Sequence, residues 1–284
     1  MDILKLPFTN SSEDYNLGDT SGCRAAPNAL NNLYNEHLRK KVFFKRTQPV
    51  LNFLEWYALP LSPNHIAAVQ QFFAQNPGVR VGVIGGDHHL TSSCFSAFWQ
   101  WQFLKDSVFL LSLDAHPDLT WKQEPDGREP LHSDWLRNII DRRFLNPKQV
   151  IGLGWRDIEP EEDDYIKEKS ILYYSPEQLK DADTVVLDLI KPNRLRPKKS
   201  ETYASKSKVY LTIDLDVLSP AFAPGVSAPS HFGLTDRELI NLIRKLDKTF
   251  DILAFDIMEL NPSRDVNGVT ASLALQILYE LCPA

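Results

Sequence analysis

Cysteine is scarce in this chain. Its 284 residues hold three, Cys23, Cys94 and Cys282, far apart and never in a CxxC pair. That excludes a disulfide framework and fits reduced thiols in a cytoplasmic protein. Positive charge is in deficit too, with 31 Lys and Arg against 37 Asp and Glu and a net charge of −6. A nucleic-acid-binding surface is therefore not expected. No apolar run approaches the length of a membrane span, and residues 1–15 lack the basic-then-apolar order of a secretory leader. The GxSxG elbow and the phosphate-binding P-loop are missing, and Gly152-Leu-Gly154 stops short of the third glycine of a dinucleotide fingerprint. What remains is ordinary globular composition, 43% apolar and 24% charged. With no internal repeat and no clean linker, one domain over residues 1–284 is expected.

Short β-rich runs alternate with helix-like segments. Strands are predicted at 79–84, 108–113, 149–153, 170–174, 184–189, 209–213 and 252–257, and helices at 63–75, 91–104, 132–143, 235–247 and 270–281. Leu239, Ile240, Ile243 and Leu246 repeat at helical spacing. Strands that are apolar throughout and separated by helices imply a three-layer α/β/α fold around a mainly parallel sheet. The basic stretch 191–208 reads as a solvated loop, and the aromatic-rich helix with Phe95, Phe98, Trp99, Trp101 and Phe103 reads as packing.

In such a sheet, ligands bind beyond the carboxyl ends of the strands. Four of the predicted strands run into ionisable residues there. The first leads into GGDHH at 85–89, the second into DAHPD at 114–118, the sixth into DLD at 214–216, and the last delivers Glu259. In extended chain, residues i, i+2 and i+4 point to one side, so Asp114, His116 and Asp118 can converge, as can Asp214 and Asp216. His88 adds a second imidazole. Four clustered carboxylates need counter-charge, and two divalent ions balance them. Mixed imidazole and carboxylate donors suit manganese, with zinc, iron and cobalt left open. A metal pair can acidify a shared water and so supply a nucleophile at neutral pH.

These segments resemble the arginase family, the ureohydrolases, which includes arginase, agmatinase and formimidoylglutamase. The likeness rests on GGDH at 85–88, DAHPD at 114–118, DLDVLSPAFAPG at 214–225, GLTDRE at 233–238 and ELNP at 259–262 with Asp265 and Thr270. The resemblance implies an arginase-like fold and six metal ligands, His88, Asp114, His116, Asp118, Asp214 and Asp216, holding two Mn²⁺. It implies that Glu259 faces the cationic group of an amidine or guanidino substrate, and that His132 shuttles a proton to the leaving amine. It also implies a homo-oligomer, trimeric or hexameric.

The substrate is less well marked. APGVSAP at 223–229 and the tail from Glu259 to Ala271 look most like formimidoylglutamase, whereas Asp87 and His132 look more like arginase or agmatinase. Formimidoylglutamase-like hydrolysis of linear C–N bonds is the first expectation, with urea release by an agmatinase or arginase type of reaction as the alternative. A metal-dependent amide deacetylase and a non-catalytic metal-binding protein of the same fold also stay open. Arg128 is a candidate partner for a substrate carboxylate, and His231-Phe232 stands where many relatives carry small residues. The N-terminal third matches the family least.

Overall fold

The computed structural model describes residues 1–9, 20–40, 50–55, 65–101, 108–120, 130–191 and 206–282, the side chains of His65 and Trp101 excepted. Along the chain come β1 (Asp2–Lys5), α1 (Ala26–Lys40), β2 (Asn52–Glu55), α2 (His65–Gln75), β3 (Val81–Ile84), α3 (Leu90–Trp101), β4 (Val108–Leu113), α4 (Trp135–Asp141), β5 (Val150–Leu153), α5 (Pro160–Lys169), β6 (Leu172–Tyr174), α6 (Pro176–Leu179), α7 (Ala182–Leu189), β7 (Lys208–Asp214), α8 (Asp236–Thr249), β8 (Asp251–Met258) and α9 (Val269–Leu281).

The strands form one sheet in the order β2-β1-β3-β8-β7-β4-β5-β6, and every pairing is parallel. Strand residues alternate between two apolar layers. Phe109, Leu111 and Leu113 of β4 join a core built with α1, α7, α8 and α9, while Val108 and Leu110 join one built with α2, α3 and α4. Both faces are covered, which is why all six residues of β4 are buried. The three-layer α/β/α architecture expected from the sequence is the one observed. Among the described residues, no helix is long and apolar enough to cross a membrane.

One predicted strand is a helix. Residues 184–189 lie within α7, although Thr184, Val185 and Val186 are β-branched. Two effects outweigh that propensity. Asp181 caps the helix, accepting from the Thr184 backbone N–H at 3.1 Å and from its hydroxyl at 2.7 Å, worth about 1 kcal/mol. Val185, Val186 and Leu189 then share one face and are buried, while Leu187 is exposed. The N-terminal elements β1, α1 and β2 were not predicted, nor were α5 and α6. In α1, Ala26, Leu30 and Tyr34 are buried at four-residue spacing, a helical signal diluted by four asparagines of modest propensity. Most of the basic stretch 191–208, and Phe103 of the aromatic segment, fall outside the described residues. Phe95 and Phe98 pack on Tyr210, and Trp99 on Phe144.

The sheet fixes where the chemistry can sit. Ile84, Ile257, Ile213 and Leu113 stand in register across β3, β8, β7 and β4. The residues that follow them therefore emerge along a single edge. The chain passes from β3 to β4 over β8 and β7, and that crossover opens a crevice at the carboxyl ends.

Candidate metal centre

All six predicted ligands meet in that crevice. The Nδ1 atom of His88 lies 3.0 Å from Asp114 Oδ2, 3.1 Å from Asp118 Oδ2 and 3.3 Å from Asp214 Oδ2. His116 Nδ1 lies 3.0 Å from Asp216 Oδ2 and 3.7 Å from Asp114 Oδ1. Two groups thus offer converging atoms, His88 with Asp114 and Asp118, and His116 with Asp114 and Asp216, each within 4.8 Å. Asp114 belongs to both, which is the arrangement that two neighbouring metal ions require.

The convergence does not come from a pleat, as the alternating spacing suggested. β4 ends at Leu113, and the chain then bends. Asp114 Oδ1 accepts from the His116 backbone N–H at 2.7 Å, and Asp118 adopts a left-handed φ of 53°. On β7, Asp214 Oδ1 accepts from the Asp216 N–H at 2.8 Å and caps the short 3₁₀ turn Leu215–Val217. These carboxylates bond the backbone two residues on, a property of aspartate in turns. In each, Oδ1 builds the loop and Oδ2 faces His88.

Electrostatics show what the cluster needs. Burial disfavours the His88 cation, yet Asp114, Asp118 and Asp214 outweigh it and raise His88 well above the ordinary histidine value. His116 rises likewise, against burial, through Asp216 and Asp114. Burial and the Asp114 charge push Asp118 up to about 7. Burial with Asp216 and Asp114 raises Asp214 strongly. Asp114, against burial, is held well below the usual range by His116 and His88. Protons occupy this cluster where cations would balance it. His88 Nδ1 and Asp114 Oδ2 are buried without a hydrogen-bond partner, and such atoms find one in a metal ion. The residues present therefore fit a metal pair.

Several supporting residues could not be read from the sequence. Trp135 donates its indole N–H to Asp118 Oδ2 at 2.6 Å and lays its ring 4.7 Å from that of His88. His88 Nε2 meets the Thr212 hydroxyl at 2.8 Å, which donates to buried Asp256 at 2.6 Å. Arg156 donates to the carbonyls of Gly154, Asp216, Val217, Ser230 and His231 at 2.7–3.4 Å. It clamps the Asp216 turn to the loop before α8. Asp87 pairs with His89 and accepts from Thr20 at 2.9 Å. These contacts hold its carboxyl below the usual range against burial, helped by the charge of nearby His132. His89 is buried.

A cavity of about 690 Å³ opens over the cluster, lined by His116, Asp118, His132, Arg156, Asp157, Glu159 and Glu162 among others. His132, in the turn before α4, thus shares the cavity with the candidate ligands. Glu259 is not among its described lining residues. It sits buried beside the cluster, its Oε1 accepting from the His88 backbone N–H at 2.8 Å. Glu259 has a φ of 64°, held by its own N–H donating to the Gly86 carbonyl at 2.9 Å. Burial and the charge of Asp87 raise its carboxyl well above the ordinary range. Arg128 lies outside the described residues.

Comparison with known proteins agrees with this geometry. A model of the arginase family matches residues 4–283. Proclavaminate amidinohydrolase of Streptomyces clavuligerus is 30% identical over 202 residues, 70% of this chain and 59% of that protein. Guanidinopropionase of Pseudomonas aeruginosa is 28% identical over 200 residues, 70% and 58% of the two chains. The chain thus spans less than two thirds of the length of these curated relatives. The crystal structure of arginase from Bacillus subtilis superposes with a TM-score of 0.74 at 20% identity, over 100% of this chain and 98% of that one. At that identity the likeness speaks for the fold.

Proposed function

The chain belongs to the arginase family, and from that premise we propose that it is a metal-dependent hydrolase of linear C–N bonds in guanidino compounds. The observation that carries the reading is the pair of His/Asp groups sharing Asp114 beneath a cavity. His88, Asp114, His116, Asp118, Asp214 and Asp216 would hold two metal ions, and the mixed donor set suits Mn²⁺. When bound, the metals supply Lewis acidity and a water acidic enough to attack at neutral pH. The residues of the chain do the rest. Glu259 receives the substrate's cationic group beside the cluster, and the incoming positive charge favours its ionised form. Water oxygen bonds to the central amidine carbon as one of its O–H bonds breaks, that proton replaces the one His132 gives to the departing amine, and the C–N bond breaks. A deacetylase with one metal would not use the second group. A homo-oligomer belongs to the same proposal and is read by sedimentation velocity.

The cavity favours one kind of guanidino compound. Its described lining carries the carboxylates of Asp118, Asp157, Glu159 and Glu162. Its one described cationic side chain with a fixed charge, Arg156, spends its donors on backbone carbonyls. A substrate whose far end is cationic, as in agmatine, suits this lining better than formimidoylglutamate with its two carboxylates. The tail residues that resembled formimidoylglutamase have another task. Asp265 accepts from Thr270 and Ala271 N–H groups at 2.9 Å, and the Thr270 hydroxyl accepts from Gly225 at 2.8 Å. They tie α9 to the loop after β7.

Product analysis tests the reading. Protein loaded with manganese is incubated with agmatine, arginine, short guanidino acids and formimidoylglutamate, and bound metal is counted. Urea from a cationic guanidino compound with two metals per chain is the expected result. Formamide from formimidoylglutamate would overturn the substrate reading. Two bound metals with no turnover on any of them would leave a metal-binding protein without this activity. Asp118→Ala should lose metal and turnover together.

A further inference from the structure

The 3₁₀ turn Ser21–Ala25 reaches the centre. Gly22 packs so closely on Asn261 that a Cβ there would overlap the Asn261 side chain. This approach brings Cys23 to 3.4 Å from Glu259 Oε2 and 3.2 Å from the Ser227 hydroxyl. Cys23, Ser227, Asn261 and Glu259 are all buried. We propose that Cys23 is a positioning residue for Glu259: its thiol is the last donor in a one-way chain of hydrogen bonds, from Asn261 through Ser227 and Cys23 to the Glu259 carboxylate. The proposal rests on Glu259 as the group that receives the substrate's cation.

The direction of the chain follows from its far end. Asn261 Oδ1 accepts from both the backbone N–H and the hydroxyl of Ser263. The amide is thereby oriented, and Nδ2 donates to Ser227 Oγ at 3.0 Å. The Ser227 proton is left for the Cys23 sulfur, whose own proton turns to Glu259 Oε2. Burial and the Glu259 charge push the thiol pKa up, so it stays an S–H donor at neutral pH. The other carboxylate oxygen accepts the His88 N–H at 2.8 Å. Two donors on opposite oxygens leave Glu259 one orientation. Cys94 and Cys282 have no comparable place, Cys94 lying in the core under Tyr210.

Infrared difference spectra test the hydrogen bond without relying on turnover. Wild type minus Cys23→Ala isolates the Cys23 S–H stretch, and Cys23→Ser serves if the alanine variant does not fold. The band should move to higher frequency in Glu259→Gln, whose neutral amide is a weaker acceptor. A band unmoved by Glu259→Gln would overturn the proposal. Kinetics of the metal-loaded enzyme on a guanidino compound it hydrolyses give the second reading. Cys23→Ala should lower kcat/KM about fivefold, as one weak charge-assisted bond is worth. Cys23→Ser, which keeps a donor, should recover most of it. Equal values for the two variants would count against positioning. If no amidine is hydrolysed, the functional reading fails and the infrared shift alone decides the role of Cys23.

Discussion

Loading the centre with metal should expel protons, and the structure says how many and where in pH. Four candidate ligands hold raised values in the metal-free protein: His88, His116 and Asp214 strongly, and Asp118 at about 7. His88 and His116, raised above the ordinary histidine value, and Asp118 carry protons at pH 6, and coordination requires them without protons; Asp214 is shifted in the same direction. Binding two metals at pH 6 should therefore release about three protons per chain or more, the Asp118 share fading above pH about 7. Asp114, already held low, adds none. The same values set the stability of the metal-free protein. A carboxyl whose folded pKa is raised contributes stability below its unfolded value, and that stability is lost as pH climbs through the folded one. For Asp118, moved from 3.8 to about 7, the loss is about 4 kcal/mol between pH 4 and 7. The raised histidines act in the same direction. The gap in melting temperature between metal-loaded and metal-free protein should thus widen from pH 5 to pH 8. Calorimetric titration with manganese in buffers of different ionisation enthalpy counts the protons. Release near zero at pH 6, or a melting gap that narrows as pH rises, would refute the electrostatic account of the cluster.

Two further substitutions probe its surroundings. Trp135→Phe keeps an aromatic ring against His88 but removes the indole donor to Asp118. Metal affinity should weaken about 10- to 100-fold by chelator competition, as for other partners of metal ligands, and unchanged affinity would show the bond to be idle. Phe232 is 91% exposed with a φ of 61°. Phe232→Gly should raise stability by about 1 kcal/mol in urea unfolding, since glycine takes the left-handed region without a Cβ clash. A loss of stability would mean that the ring makes a contact worth more than the strain.

The sequence announced the candidate ligands but not the way they are held. His88, Asp114, His116, Asp118, Asp214 and Asp216 stand at strand ends in compact motifs, so their chemistry is local and readable. Alternating spacing suggests convergence through a pleat, whereas the structure builds it from aspartate turns at Asp114 and Asp214. Trp135, Thr212 and Asp256 were invisible because each meets its partner through the fold, across 17 to 124 residues of chain. The misread segment 184–189 shows the reverse. Its local β propensity was plain, and the Asp181 cap with an apolar face on the core overruled it. β1 and α1 were missed because four residues, or a face diluted with asparagine, carry too little pattern on their own.

The N-terminal region is built into the centre. β1 pairs with β3, so the chain leaving β1 runs directly beside GGDH. The Phe8 carbonyl accepts from the Asp87 N–H at 3.3 Å, and a Cβ on Gly86 would overlap that carbonyl. Thr20 then reaches Asp87, and Cys23 reaches Glu259. The candidate ligands come from motifs at the ends of β3, β4 and β7, whereas two carboxylates beside them, Asp87 and Glu259, take partners from residues 20–23. A candidate metal cluster can therefore sit beside carboxylates whose partners come from a segment outside its own motifs. Substrate preference in this chain should follow exchanges in that segment more closely than changes among the six ligands, which would remove metal and leave nothing to compare.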